Sequence, residues 1–184
     1  MVHTETAQSI ITLSPDFVRI YPTIVIANTI LADMYSRGSY KELSLYDGIV
    51  RAGFLKLHFD HHKIPVIRTG LQATEDLDKS NIVLAGPYHP AFGEMVDSYI
   101  FYIMLAHCVE FIISSHITEQ IIIHHHSRDT SKVRGISNKN IKTLQRTYNM
   151  KAPILKGDGA NVDEIIFEYK KISYVVNKKM LVYI

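Results

Sequence analysis

Four groups of residues in this chain have the types and spacing for chemistry. Arg19 and Arg68 sit inside short apolar runs, residues 17–21 and 64–72, that read as strands. A strand covered on both faces has no cheap place for a charge. The exception in a (β/α) barrel is the mouth at the C-terminal ends of the strands. One reading therefore points Arg19, Tyr21, Arg68 and Gln72 into a polar cavity. The other has each arginine capping a strand end or forming an ordinary ion pair.

His89 and Glu94 form the second group. They flank a loop, Gly86-Pro87-Tyr88-His89-Pro90-Ala91-Phe92-Gly93-Glu94, whose two prolines and two glycines force a fixed, irregular path. His89 can act as an acid–base group with Glu94 orienting it. Alternatively, His89 satisfies loop backbone and Glu94 lies in a first helical turn, where a carboxylate is favoured anyway. The third group is a basic stretch between a strand and a helix, with Lys132, Arg134, Gly135, Lys139 and Lys142. KH domains place a Gly-x-x-Gly turn at such a point, and its backbone and cations clamp a nucleic-acid backbone. Here Gly135-Ile136-Ser137-Asn138 has asparagine in the second position, a residue that tolerates positive φ. The competing reading is a helix N-terminus with solvated lysines. The fourth group is the ten histidines, concentrated at 58, 61, 62 and 124–126. His58 with His61 or His62 has metal-ligand spacing, but no third ligand or supporting carboxylate converges on it in the sequence, and no metal is assigned.

Several function classes are excluded. No Gly-x-x-x-x-Gly-Lys-Ser/Thr, Gly-x-Gly-x-x-Gly or Gly-x-Ser-x-Gly stretch occurs, so the nucleotide-loop and hydrolase fingerprints fail. The single cysteine, Cys108, lies among Leu105, Val109 and Ile112 and reads as a buried small hydrophobe. One cysteine makes no internal disulfide, which suits a cytoplasmic protein, and it cannot hold an iron–sulfur cluster. The N-terminus shows no signal peptide. The longest apolar run, residues 99–106, is too short to span a bilayer, so no membrane partner is expected.

These residues are positioned by 184 residues that are 47% hydrophobic and 21% charged, enough for one domain or two small ones. The net charge of +2 hides an asymmetry. Residues 1–115 hold 8 Lys+Arg against 12 Asp+Glu, and residues 116–184 hold 12 against 6. The basic back half suggests either an anionic partner or a lysine-rich solvated surface. Ser44 is a good N-cap with Asp47 at the capping-box position. Tyr46, Ile49, Val50, Gly53, Phe54 and Leu57 then form one apolar stripe of 3.6 period. With the flanking strands this makes a βαβ unit and a parallel pair. An acidic linker is expected over residues 74–81, then a core helix over 95–113. A βαββ module follows: strands at 120–126 and 152–156 around a helix at 138–148, then a hairpin of 165–169 and 172–176.

Two stretches resemble a known family. Arg19-Ile20-Tyr21-Pro22-Thr23-Ile24-Val25-Ile26, continued by Thr29, Leu31, Met34-Tyr35, Gly38, Tyr40-Lys41 and Leu43-Ser44, is similar to the late barrel segment of radical-SAM enzymes related to the catalytic subunit of Elongator. Arg68-Thr69-Gly70-Leu71-Gln72 and the Gly86–Glu94 loop look like the post-barrel region of bacterial members, often labelled oxygen-independent coproporphyrinogen III oxidases. The resemblance implies a mixed α/β and α+β architecture. Residues 1–78 would be late strands and helices of a partial (β/α) barrel, and residues 79–184 a post-barrel α+β domain with 120–176 KH-like. It places Arg19, Tyr21, Arg68 and Gln72 near the S-adenosylmethionine or substrate cavity. The family's Cys-x-x-x-Cys-x-x-Cys loop for a [4Fe–4S] cluster does not occur here, and neither does the Elongator acetyltransferase domain. The resemblance therefore implies the C-terminal half of such an enzyme, with no cofactor of its own. The cluster and S-adenosylmethionine would belong to the parent, and the partners would be an N-terminal barrel half and RNA, in particular tRNA. Such a half should be inactive alone. The alternative is a non-catalytic tRNA-binding module.

Overall fold

The computed structural model describes residues 2–72, 74, 77, 82–112 and 119–183. Helix α1 (Val2–Thr12) leads into strand β1 (Val18–Ile20), a two-residue strand β2 (Val25–Ile26) and the short helix α2 (Ile30–Ser36), which is capped by Thr29. Helix α3 (Leu45–His61) starts where the capping box requires. The Asp47 N–H donates to Ser44 Oγ at 3.0 Å, and the Ser44 hydroxyl donates to Asp47 Oδ2 at 2.6 Å. Strand β3 (Val66–Thr69) returns parallel to β1, so the expected βαβ unit is present. Strand β4 (Val83–Ala85) pairs antiparallel with β2. Of the acidic linker expected over 74–81, only residues 74 and 77 lie within the described residues.

The buried face of α3 differs from the expected stripe. Gly48, Ile49, Ala52, Gly53, Leu57 and Phe59 are buried, while Tyr46 and Phe54 are 63% and 45% exposed. The reason is close approach rather than bulk. A Cβ on Gly48 would lie 2.8 Å from Pro87 Cβ, so the Gly48–Ala52 edge of the helix, and not its aromatic edge, faces the protein.

The chain divides into two compact units, Met1–Val96 and Asp97–Ile184, with the boundary inside helix α4 (Phe92–Ile112). By length and composition α4 is apolar enough to cross a membrane. It is also a core helix, since Ile100, Phe101, Met104, Leu105, Cys108 and Val109 are at most 1% exposed. The second unit continues with β5 (Ile122–His125), the short helix α5 (Thr130–Arg134), helix α6 (Lys139–Tyr148), β6 (Ile154–Gly157), β7 (Glu164–Tyr169) and β8 (Ile172–Asn177). Its four-stranded sheet has the order β6-β5-β7-β8, with β5 and β6 parallel and the rest antiparallel. Ile123, Ile165 and Phe167 on the sheet and Leu144 on α6 are all buried to 1% or less. Each such side chain contributes about 1.5–3 kcal/mol by leaving water. The architecture is thus mixed α/β and α+β with small sheets, none closed into a barrel among the described residues.

Candidate functional site

A cleft of about 540 Å³ opens at the C-terminal end of β1, against the first turns of α3. Ile20, Ala52 and Leu55 make it apolar, and Lys41, Glu42 and Asp47 bring charge to it. A second cleft of about 320 Å³ lies between α1, β1 and α3 and is lined by Thr6, Ile10, Val18, Arg19, Tyr21 and Phe59. Tyr21, half exposed, borders both clefts. Arg68 and Gln72 border neither. Both are exposed, and Arg68 Nη1 donates to Gln72 Oε1 at 2.8 Å. The four residues of the cavity reading therefore do not line one cavity: Arg19 and Tyr21 share a cleft, and Arg68 and Gln72 form a separate surface pair.

The Gly86–Glu94 loop is wedged into the first unit at several points. Gly86 has φ +104°, and a Cβ there would lie 2.9 Å from Ile24 Cα. A Cβ on Gly93 would lie 2.8 Å from the Thr69 carbonyl oxygen. Within this loop His89 Nδ1 accepts the Ala91 N–H at 3.0 Å, and the His89 carbonyl accepts the Phe92 N–H at 3.0 Å. Glu94 is exposed in the first turn of α4. No hydrogen bond joins His89 and Glu94 among the described residues.

In the second unit the turn between α5 and α6 has three residues of positive φ within four positions. Gly135, Ser137 and Asn138 have φ of +70°, +54° and +59°, with Ile136 between them. Asn138 thus takes the left-handed conformation that the motif's second glycine would supply. Glycine is required at 135 on a second count, because a Cβ would lie 2.8 Å from Asn140 Cγ and 2.9 Å from Ser98 Oγ. Asn140, 6% exposed, donates through Nδ2 to the Ser98 carbonyl (2.8 Å), Ser98 Oγ (3.1 Å) and the Lys132 carbonyl (3.0 Å). Arg134 Nη1 donates to Asn138 Oδ1 at 3.2 Å across the turn.

Beside this turn lies an open groove of about 460 Å³, lined by Ile136, Ser137, Lys139, Lys142, Thr143 and Arg146. It holds three cations and no carboxylate. Lys139, Lys142 and Arg146 are spaced i, i+3, i+7, which places them along one face of α6, and all three are exposed. Lys132 stands apart from them. Its Nζ is 2.7 Å from Asp129 Oδ1 and 3.4 Å from Asp163 Oδ1, and it lies 5.4 Å from the centre of the Phe101 ring. Burial disfavours its charge, but the Asp129 and Asp163 carboxylates outweigh that and raise its pKa. Asp129 is fully buried and also accepts the Asp163 N–H at 2.8 Å. Burial likewise disfavours the charge on Asp163, but Lys178 and Lys132 hold its carboxyl below the ordinary value. The sequence reading missed this network and Arg146. The i, i+3 spacing of Asp129 and Lys132, and the position of Arg146 one turn beyond Lys142, were the available signals.

The histidines of the two clusters make local contacts. His62 Nδ1 donates to the His58 carbonyl at 2.9 Å, and the His58 pKa is lowered by burial and by the neighbouring His62 and His61. His125 is buried, and its Nδ1 donates to the His126 carbonyl at 2.9 Å. His124 Nε2 lies 3.1 Å from Glu168 Oε2. Among the described residues no group of three or more His, Cys, Asp or Glu is placed to hold a metal ion. Cys108 is 1% exposed, and burial pushes its thiol pKa up to about 12, the reverse of what a thiolate ligand needs. One such cysteine does not fit an iron–sulfur cluster.

Residues 15–101 match the model of the Radical_SAM C-terminal domain family. No curated protein and no solved structure matches the chain.

Proposed function

We propose that this chain is the C-terminal portion of a radical-SAM enzyme and that it does not perform the radical chemistry by itself. The match of residues 15–101 to the Radical_SAM C-terminal domain carries the reading. The family implies a cluster and S-adenosylmethionine, and the cluster cannot be held by the one buried thiol of these 184 residues. The ligand-bearing barrel half is therefore a partner, supplied by another stretch of polypeptide. The chain's role is to support that barrel through its βαβ unit and to present the second unit. The parent is an oxidoreductase of the oxygen-independent coproporphyrinogen III oxidase-like kind or an Elongator-like tRNA-modifying enzyme, working in the cytoplasm. The test is anaerobic reconstitution of the chain with iron and sulfide. The reading expects no [4Fe–4S] absorbance and no S-adenosylmethionine cleavage, and observing both would overturn it.

A second reading, a tRNA-binding module, is favoured by the groove beside the Gly135–Asn138 turn. Three cations without a carboxylate, next to a left-handed turn that exposes backbone, suit a phosphate backbone. The two readings are compatible, because a tRNA-modifying parent needs such a surface. Arg134, Lys139, Lys142 and Arg146 are the contacts this reading assigns. Lys132 is assigned a structural role, because its charge is already taken up by Asp129 and Asp163.

A further inference from the structure

The four-stranded sheet of the second unit ends on β8, and among the described residues no strand pairs with its outer edge. That edge presents a row of backbone N–H and C=O groups, a template for one more strand. Proteins blunt such edges with a charge, a proline or a bulge on the strand itself. β8, Ile172-Ser173-Tyr174-Val175-Val176-Asn177, carries no charge and no proline, and its register with β7 is unbroken. Ile172 and Val175 are 54% and 48% exposed, and Ser173 is exposed as well. Charge gathers at the two ends of the strand instead, with Lys170 and Lys171 before it and Lys178 and Lys179 after it. Lys170 and Lys171 have φ of +50° and +64° in the two-residue turn from β7. A turn of that kind favours Asn-Gly, so turn chemistry does not account for two lysines there. Lys178 Nζ is 3.4 Å from Asp163 Oδ2, whereas Lys171 and Lys179 are exposed.

These lysines decide what the edge accepts. A second copy pairing antiparallel about the middle of β8 would set Lys171 opposite Lys178 of that copy, and Lys170 opposite Lys179. An in-register parallel copy would set each lysine beside itself. Like charges directly opposite one another in a sheet are destabilising, so both arrangements are disfavoured. A strand with carboxylates at its ends meets the reverse situation. We infer that the outer edge of β8 binds an extended peptide segment: an uncharged, β-forming run of about six residues, roughly 20 Å long, flanked on both sides by Asp or Glu. The backbone ladder supplies affinity, and apolar side chains of the segment cover Ile172 and Val175. The flanking carboxylates pair with Lys171 and Lys179, and the same lysines reject like-charged strands, the second copy included. The inference rests on residues beyond the family match, which ends at residue 101, and on none of the groove residues that the RNA reading uses.

The test uses the full chain and two synthetic peptides that share an alternating Thr-Val core, one flanked by glutamates and the other by lysines. The readouts are backbone amide NMR shifts and hydrogen exchange of residues 172–177, with the mass of the free chain from sedimentation. The glutamate-flanked peptide should shift and protect the β8 amides saturably, and the lysine-flanked peptide should bind at least about tenfold more weakly. The double variant Lys171→Glu, Lys179→Glu should reverse that preference. Val175→Lys, which places a charge on the strand itself, should weaken binding at least about tenfold. Lys156→Gln, on the opposite edge strand β6, should leave it unchanged. No saturable change at the β8 amides with the glutamate-flanked peptide would overturn the inference. So would equal binding of the two peptides that the double variant does not alter. A dimer of the free chain that Val175→Lys dissociates would also overturn it, by giving the edge to a second copy.

Discussion

The Lys132 ammonium lies 2.7 Å from the Asp129 carboxylate, which is completely buried. Lys132 therefore acts within the second unit, holding the start of α5 to the residue 163 turn. Lys132→Met should cost about 3–5 kcal/mol, because it leaves a buried charge without its counter-ion. The midpoint of urea unfolding measures this. If the variant kept the stability of the parent chain, Lys132 would be a surface cation after all.

The same network sets a pH dependence with a definite sign. Asp163 is held below its ordinary value of 3.8, so its stabilising contribution is present above that value and is lost as pH falls through the lower folded-state pKa. Lys132 is held above 10.5, so its contribution is present below that pH and is lost as pH rises through the higher folded-state pKa. Urea midpoints of the parent chain and Asp163→Asn should differ at neutral pH and converge under acid, below the ordinary carboxylate range. A gap that stayed constant into acid would contradict this assignment.

The groove cations should show themselves in salt dependence rather than in stability. Each phosphate contact to a single strand contributes roughly 0.7 to the slope of log affinity against log salt. Replacing Lys139, Lys142 and Arg146 by alanine should therefore flatten the slope for tRNA or single-stranded RNA by roughly 2. An unchanged slope, or no RNA binding at low salt by the parent chain, would end the RNA reading.

Two glycines fix the Gly86–Glu94 loop. Gly86→Ala combines positive φ with a backbone clash at 2.9 Å, and Gly48→Ala drives a Cβ to 2.8 Å from the rigid Pro87 ring. Each should lower stability by about 1–3 kcal/mol, read from denaturant midpoints. Gly38→Ala also has positive φ but meets nothing within 4 Å, so it isolates the strain from the clash and should cost less.

Cys108 offers a check on the core of the second unit. With its thiol pushed up to about 12 and 1% exposed, it should not react with a thiol reagent at pH 8 until the protein unfolds. Rapid reaction in the native state would contradict the packing of α4.

What the sequence made legible depended on how local the physics was. Ser44 and Asp47 announced the start of α3 because a cap is settled within four residues. The parallel return of β3 followed from strand–helix–strand order. The β2–β4 pair was not foreseen, because Val25–Ile26 is too short to show a period and its partner lies far along the chain. Tyr46 and Phe54 look like core residues by type, yet the small Gly48 and Ala52 decided which edge of α3 is buried. Lys132 read as one basic residue among several until Asp163, distant in sequence, was placed beside it. Arg19 and Arg68 were visible as charges in strands, but their standing opposite one another depends on an irregularity in the β1–β3 register, which tertiary packing sets.

A radical-SAM enzyme of which this chain is the proposed C-terminal portion would carry its cluster ligands in another stretch of polypeptide. The most direct measurement is the nucleotide sequence of the genomic region immediately upstream of the Met1 codon. A coding segment there with Cys-x-x-x-Cys-x-x-Cys and the earlier strands of a barrel is the expected result. An upstream region that encodes no such motif would contradict it.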